Sequence, residues 1–248
     1  MDARMMGILE SFENNSLGLD DTFQFKCRGC GKCCNNREDI LLTARDLYNI
    51  AKELCRTIEE VFERYCESYV GSSSRIPIVR LKPSGPENKC PLLYNKRCIV
   101  HKNKPVVCAL FPLGRATGMM KTENGPEKPD DMKPKYFVQP IECGTLNQTH
   151  TVRSWLGQFG IPAEDEFYEV WTDTVTSISD FFRRIEKKNV TPKTMGILWS
   201  AAFSMLYFQF DTKKDLLPQF RENRAKLLDF IAKTEEMADM FFGGGQVG

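Results

Sequence analysis

Phe25-Lys26-Cys27-Arg28-Gly29-Cys30-Gly31-Lys32-Cys33-Cys34 places four cysteines within eight residues, at spacing C-x2-C-x2-C-C. Gaps of two residues are those of thiolate metal sites, and thiols this crowded do not serve packing. Gly31, after the second cysteine, permits a left-handed turn that folds the backbone over a metal. Nearby amides can then point at the sulfurs. Lys26, Arg28 and Lys32 interleave the cysteines, as solvated surface charge or as compensation for thiolate charge.

Further cysteines complete the set. Cys90, Cys98 and Cys108 follow at C-x7-C-x9-C spacing, weak alone but meaningful after the first cluster. Cys143 stands alone between a polar loop and a change in composition, where a chain crossing back to the cluster is expected. Eight cysteines are therefore candidate ligands: Cys27, Cys30, Cys33, Cys34, Cys90, Cys98, Cys108 and Cys143. They could fill two four-sulfur sites, or one site with several left over. Adjacent Cys33 and Cys34 diverge, so they serve two centres or one of them packs. Cys55 and Cys66 lack partners at chelating spacing and read as small buried hydrophobes. Zinc suits the Cys27–Cys30 knuckle. An iron–sulfur cluster suits Cys27, Cys30 and Cys33 with a remote fourth thiolate, and the continuous triple spacing favours it, as 4Fe–4S.

The chain has 248 residues, enough for an apolar core. Net charge is +1, which gives no argument for nucleic acid or an anionic membrane, and leaves room for a protein partner not yet known. No apolar run reaches the roughly 18 residues of a spanning helix, and the N-terminus lacks a signal-peptide pattern, so a cytoplasmic location is expected. In that reducing compartment a disulfide framework for ten cysteines fits poorly.

Residues 1–24 read as a short helix and a loop. Thr43-x-x-Asp46 resembles a capping box and opens a helix to about Leu54. Thr57-x-x-Glu60 opens a second, whose stripe runs from Ile58 through Val61, Tyr65 and Cys66 to Tyr69. Residues 76–81 read as an edge strand because of Pro77. Asn95-Lys96 joins a small hairpin. Residues 114–135 read as a loop, with a short strand at Tyr136–Val138. From Thr149 onward the pattern is helical, over about 163–188, from Thr191-Pro192 onward, and over about 216–240. The fold class expected is mainly α with a small β portion: a cysteine-cluster domain over 1–148, a C-terminal helical region over 149–242 packed on it, and a disordered tail at 243–248.

Phe25-x-Cys27-x2-Cys30-Gly31-x-Cys33-Cys34, Leu42-Thr43-x2-Asp46, Cys90-Pro91-Leu92-Leu93, Cys98 and Pro105-x2-Cys108-x2-Phe111-Pro112 together resemble the YkgJ-type cysteine-cluster family, a zinc- or iron-chelating domain. Flagellin lysine N-methylases are similar in this region. The likeness covers roughly residues 23–114. Lys104 stands where the family usually has Arg, which loses a two-pronged donor, and His101 stands where an aromatic is usual. His101 reads as a surface group or one that supports a ligand. The resemblance implies metal binding, with a structural or electron-transfer role. It also admits a methyltransferase-like enzyme, or a zinc-binding structural or chaperone protein. No glycine-rich nucleotide loop, HExxH or nucleophile elbow is present, so no catalytic residue is assigned.

Overall fold

The computed structural model describes residues 16–36, 40–117, 134–139, 143–188 and 190–242. The expected N-terminal helix before residue 16 and the glycine tail lie outside them. In chain order the elements are β1 (Thr22–Lys26), a 3-10 turn at Lys32–Cys34, β2 (Leu41–Leu42), α1 (Ala44–Glu53), α2 (Ile58–Tyr65), β3 (Cys66–Val70) and β4 (Pro77–Leu81). Then come β5 (Leu93–Tyr94), β6 (Arg97–Cys98), α3 (Val106–Leu110), β7 (Leu113–Thr117), β8 (Pro134–Val138), β9 (Thr145–Thr151), α4 (Val152–Gln158), α5 (Glu166–Glu186), α6 (Pro192–Tyr207) and α7 (Leu216–Phe242). The described chain is mainly helical with small antiparallel sheets. No described helix is long and apolar enough to cross a membrane.

Two units take separated stretches of chain: Met1–Asn35 with Leu93–Glu164, and Asn36–Leu92 with Asp165–Gly248. This line of division differs from the linear one expected at residue 148.

In the first unit β1 pairs antiparallel with β9, and β7 with β8. The expected loop at 22–24 is thus strand. Its alternation is period two: Phe23 and Phe25 point inward, while Thr22, Gln24 and Lys26 point out. Phe23 and Phe25 join Leu110, Leu113, Tyr136, Trp155 and Leu156 in one buried cluster. Burial of each phenylalanine stabilises the unit by about 1.5–3 kcal/mol. Trp155 Nε1 donates to the Leu110 carbonyl at 3.0 Å, so the indole is buried without an orphan donor. The ends of the expected 114–135 loop are strands β7 and β8, joined in register from Leu113↔Val138 to Thr117↔Pro134. β5 and β6 form the expected hairpin, with Asn95 (φ 47°) and Lys96 (φ 60°) both left-handed as a tight two-residue turn requires.

In the second unit both capping boxes close as expected. Thr43 caps α1 with Asp46 answering, and Thr57 caps α2 with Glu60. Three expectations are corrected. α2 ends at Tyr65, and Cys66–Val70 is a strand, although Tyr65 and Tyr69 continue the helical spacing. β4 is the centre of a three-stranded sheet ordered β2-β4-β3. Pro77 is tolerated there because it is the strand's first residue, and the two-residue β2 faces only Val79 and Arg80. Cys55 is exposed, not buried: it closes α1 at φ 51°, with its own amide bonded to Lys52 O and that of Arg56 to Ala51 O. That is a Schellman turn, with cysteine in the place glycine usually takes. Cys66 is buried as expected. Burial and the neighbouring Cys90 push its thiol up to about 12.

α5, α6 and α7 carry the unit's helical core, with α6 also against β4 and α1. Thr191 caps α6 with Pro192 at its first turn. Phe167, Trp171, Phe181, Phe182 and Ile185 line the buried face of α5, as the spacing predicts.

Candidate metal centre

The β1–β9 ladder decides where the cysteines meet. Lys26 opposes Thr145, so the strand that ends into Cys27 lies beside the one that begins just after Cys143. Antiparallel pairing therefore delivers the isolated cysteine to the Cys27–Cys34 loop. Gly144 makes the approach possible: its φ is +82°, and a Cβ there would lie 2.5 Å from a Phe25 ring carbon and 2.8 Å from the Lys26 carbonyl oxygen. The ladder is pinned from β9 by His150, whose Nε2 is 3.0 Å from the Phe25 carbonyl oxygen. That oxygen can only accept, so Nε2 carries the proton. Nδ1 then accepts from the Gln158 amide at 3.3 Å.

The loop itself is built by glycine. Gly29 (φ +64°) and Gly31 (φ +73°) are both left-handed, and Gly31 caps the 3-10 turn that holds Cys33 and Cys34. The Gly29 amide donates to Cys27 Sγ at 3.4 Å, the amide-to-sulfur contact expected of a metal knuckle.

The thiols sense one another. Cys143 is pushed up to about 11, first by burial and then by Cys30, Cys33 and Cys27, with a hydrogen bond to Cys30. A cation entering here must displace a proton, since the thiolate is the ligand. Cys33 Sγ and Cys34 Sγ are 3.9 Å apart. Cys98 is raised by burial and by Cys33, against the lowering effects of the Val100 backbone and the Lys104 charge. His101 is largely exposed at the start of a 3-10 turn; partial desolvation of its ring and then the Lys104 charge lower its pKa. Lys104 Nζ sits 4.1 Å from the centre of the Phe159 ring, so this cation has an aromatic face as well as Cys98 for company.

Of the eight candidate ligands, the first unit thus contains Cys27, Cys30, Cys33, Cys34, Cys98, Cys108 and Cys143. Cys27 and Cys30 are exposed and the other five half-buried. Cys90 falls in the second unit, where Cys66 feels it. No disulfide joins any of the ten cysteines. Among the described residues no three His, Cys, Asp or Glu side chains form a group that could hold a metal ion. The donor chemistry fits a zinc or iron centre: Cys27, Cys30, Cys33 and Cys143 are soft thiols, and the first three each act on Cys143. The buried Asn35 Oδ1 next to Cys34 has no hydrogen-bond partner among the described residues.

Residues 26–133 match the model of a protein family, CxxCxxCC, described as "Putative zinc- or iron-chelating domain". Over this segment the chain is similar to the CxxCxxCC family. The match begins at the end of β1 and takes in every candidate ligand except Cys143. No curated protein and no solved structure matches the chain. Cys143 lies beyond the matched segment, and the β1–β9 register is what places it beside the end of β1.

Gly144→Ala tests that delivery. The added methyl must move Phe25 and a backbone oxygen while holding a left-handed φ. We expect a loss of about 1–3 kcal/mol in stability and a lowered metal content per chain. Thermal unfolding with elemental analysis checks both.

Proposed function

We propose that the first unit holds an iron–sulfur cluster, of the 4Fe–4S kind, on Cys27, Cys30, Cys33 and Cys143. One observation carries the reading: the β1–β9 register sets Lys26 opposite Thr145, which brings the remote Cys143 beside the start of the C-x2-C-x2-C run. Three ligands at that spacing with a distant fourth is the arrangement iron–sulfur sites use. A cluster bound there supplies one-electron transfer, or a clamp that ties β1 to β9. The chain's own residues orient the thiols through Gly29, Gly31 and Gly144, and offer the Gly29 amide to Cys27. The reading includes a reducing, cytoplasmic setting in which the thiols stay available. Cys34, Cys98 and Cys108 are the local candidates for a second centre.

The test is anaerobic purification of the full chain, with iron, acid-labile sulfide and zinc measured on one sample. We expect a brown protein with about four irons and four sulfides per chain. A colourless protein with stoichiometric zinc replaces this reading with a closed zinc–thiolate site.

A further inference from the structure

Cys33 Sγ and Cys34 Sγ lie 3.9 Å apart. Adjacent cysteines are expected to diverge, as neighbours on a strand do, yet in this loop they converge. The backbone fixes them there. Gly31 (φ +73°) opens the 3-10 turn, the Cys34 amide donates to the Gly31 carbonyl at 3.0 Å, and the Asn35 amide donates to the Lys32 carbonyl at 3.2 Å. Successive turn bonds thus bracket both cysteines before any ligand arrives. Both thiols are half-buried, within reach of a small molecule, and neither is in a disulfide.

The spacing selects a ligand. An atom bonded to both sulfurs at about 2.3 Å, the length of a zinc–sulfur bond, holds them about 3.3–3.8 Å apart as its bond angle runs from about 90° to 109°. A small side-chain rotation brings the pair to that span. A disulfide asks for sulfurs about 2.05 Å apart on Cα atoms at least about 4.4 Å apart, whereas neighbours across a trans peptide are held at about 3.8 Å. A bridging atom therefore suits the pair better than a sulfur–sulfur bond. Zinc closes with four donors. Among the described residues, no three His, Cys, Asp or Glu side chains form a group that could hold a metal ion. A trivalent arsenical needs two thiols only, because its third substituent stays in place.

We propose that Cys33 and Cys34 form a dithiol site for trivalent arsenicals. With arsenous acid, each sulfur forms one bond to arsenic and displaces one hydroxyl. Two arsenic–oxygen bonds break, and the hydroxyls leave with the two thiol protons as two waters. Arsenic stays trivalent, so no oxidant or reductant takes part. Phenylarsine oxide reacts in the same sense, its oxygen leaving with both protons as one water. Cys33 is also a ligand of the centre proposed above. On that reading, and only on it, a loaded centre shuts the dithiol site, and a bound arsenical keeps the metal out.

The experiment titrates the full chain with phenylarsine oxide under a phosphine reductant, and native mass spectrometry reads metal and arsenic on the same molecule. Trypsin then locates the adduct. It cuts after Lys32 and Arg37, so a bridge between Cys33 and Cys34 stays on the single peptide 33–37, while a bridge from Cys33 to any other cysteine links two peptides. One phenylarsenic per metal-free chain is expected, on peptide 33–37. Loss of one thiol turns a two-bond grip into one, so Cys34→Ser should raise the Kd at least about a hundredfold. Cys55→Ser, in the second unit, should leave it unchanged. A synthetic peptide of residues 32–37 should bind about tenfold more weakly than the chain, since its thiols must be ordered on binding. Arsenic linking two tryptic peptides, undiminished capture by Cys34→Ser, or a synthetic peptide that binds as tightly as the chain overturns the proposal. A loaded chain that gains the bridge with all its metal in place keeps the dithiol site and removes Cys33 from the centre. A metal-free wild type that ignores phenylarsine oxide sinks the dithiol site and leaves the cluster reading standing.

Discussion

Cys30→Ser is expected to strip the metal from the purified protein and to unfold the first unit at a temperature where the second still holds. Cys30 is the thiol that hydrogen-bonds Cys143, and it is flanked by the two left-handed glycines that shape the loop. A serine hydroxyl stays protonated at neutral pH and is a poor ligand for zinc or iron. Structural zinc in small domains contributes apparent free energies of about 10–16 kcal/mol, and that binding energy is folding energy. Loss of half of it matches the lower part of a domain's whole stability, roughly 5–15 kcal/mol. The first unit is exposed to this loss because the ladder that brings its two cysteine strands together is only β1 and β9. Cys143→Ser should reproduce the defect, because it takes away the same partner from the other strand. Cys55→Ser should not, since Cys55 closes α1 in the second unit. Metal analysis with differential scanning calorimetry reads the result. Retained metal and unchanged melting in Cys30→Ser and Cys143→Ser together would dismiss the shared centre.

Pairwise local chemistry was written plainly in the chain. Thr43 with Asp46, Thr57 with Glu60, and Thr191 with Pro192 act within a single turn, and each cap forms where the residues place it. Asn95-Lys96 is likewise self-contained. The mainly helical class and the metal-chelating family follow from periodicity and from cysteine order. Long-range pairing left weaker traces. β9 turns one clearly buried side chain, His150, inward among polar neighbours, so its strand alternation is faint. Its partner β1 hides behind the cysteine motif, although Phe23 and Phe25 alternate cleanly with Thr22, Gln24 and Lys26. Cys143 has no motif around it, and only the register of that ladder explains its company. At Cys66 the spacing misleads: Tyr65 and Tyr69 sit four apart, as in a helix, while pairing with β4 draws Cys66–Val70 into the sheet. Cys55 misleads in the opposite sense. Its small size suggests burial, but the chain needs a left-handed residue there to leave α1.

Asp165→Ala is expected to cost the second unit about 3–4 kcal/mol, the largest single loss outside the thiol centre. Asp165 holds two structures at once. It caps α5, its Oδ1 accepting from the Tyr168 amide at 3.2 Å, and it takes a two-pronged bond from Arg45, with Nη1 to Oδ1 at 2.7 Å and Nη2 to Oδ2 at 2.6 Å. The pair ties α1 to the start of α5. The carboxylate side chain is only 4% exposed and the arginine 19%. Removing a cap costs about 1 kcal/mol. Leaving a buried charge without its partner costs about 3–5 kcal/mol more. Arg45 softens the second figure: it reaches some water, and its guanidinium lies 4.7 Å from the Phe167 ring centre, where it keeps a cation–π contact. The lower end of the range therefore applies, and the total corresponds to a fall in Tm of roughly 6–16 °C for a chain of this size. Asp165→Asn keeps an acceptor for the cap and loses the charge, so it should fall between wild type and Asp165→Ala. A double-mutant cycle with Arg45→Ala separates cap from ion pair: the double variant should be less destabilised than the two singles added together, because neither buried charge is then left alone. Additive losses across the cycle would mean that the two side chains stabilise the unit independently, and that the short contacts between them carry no coupling.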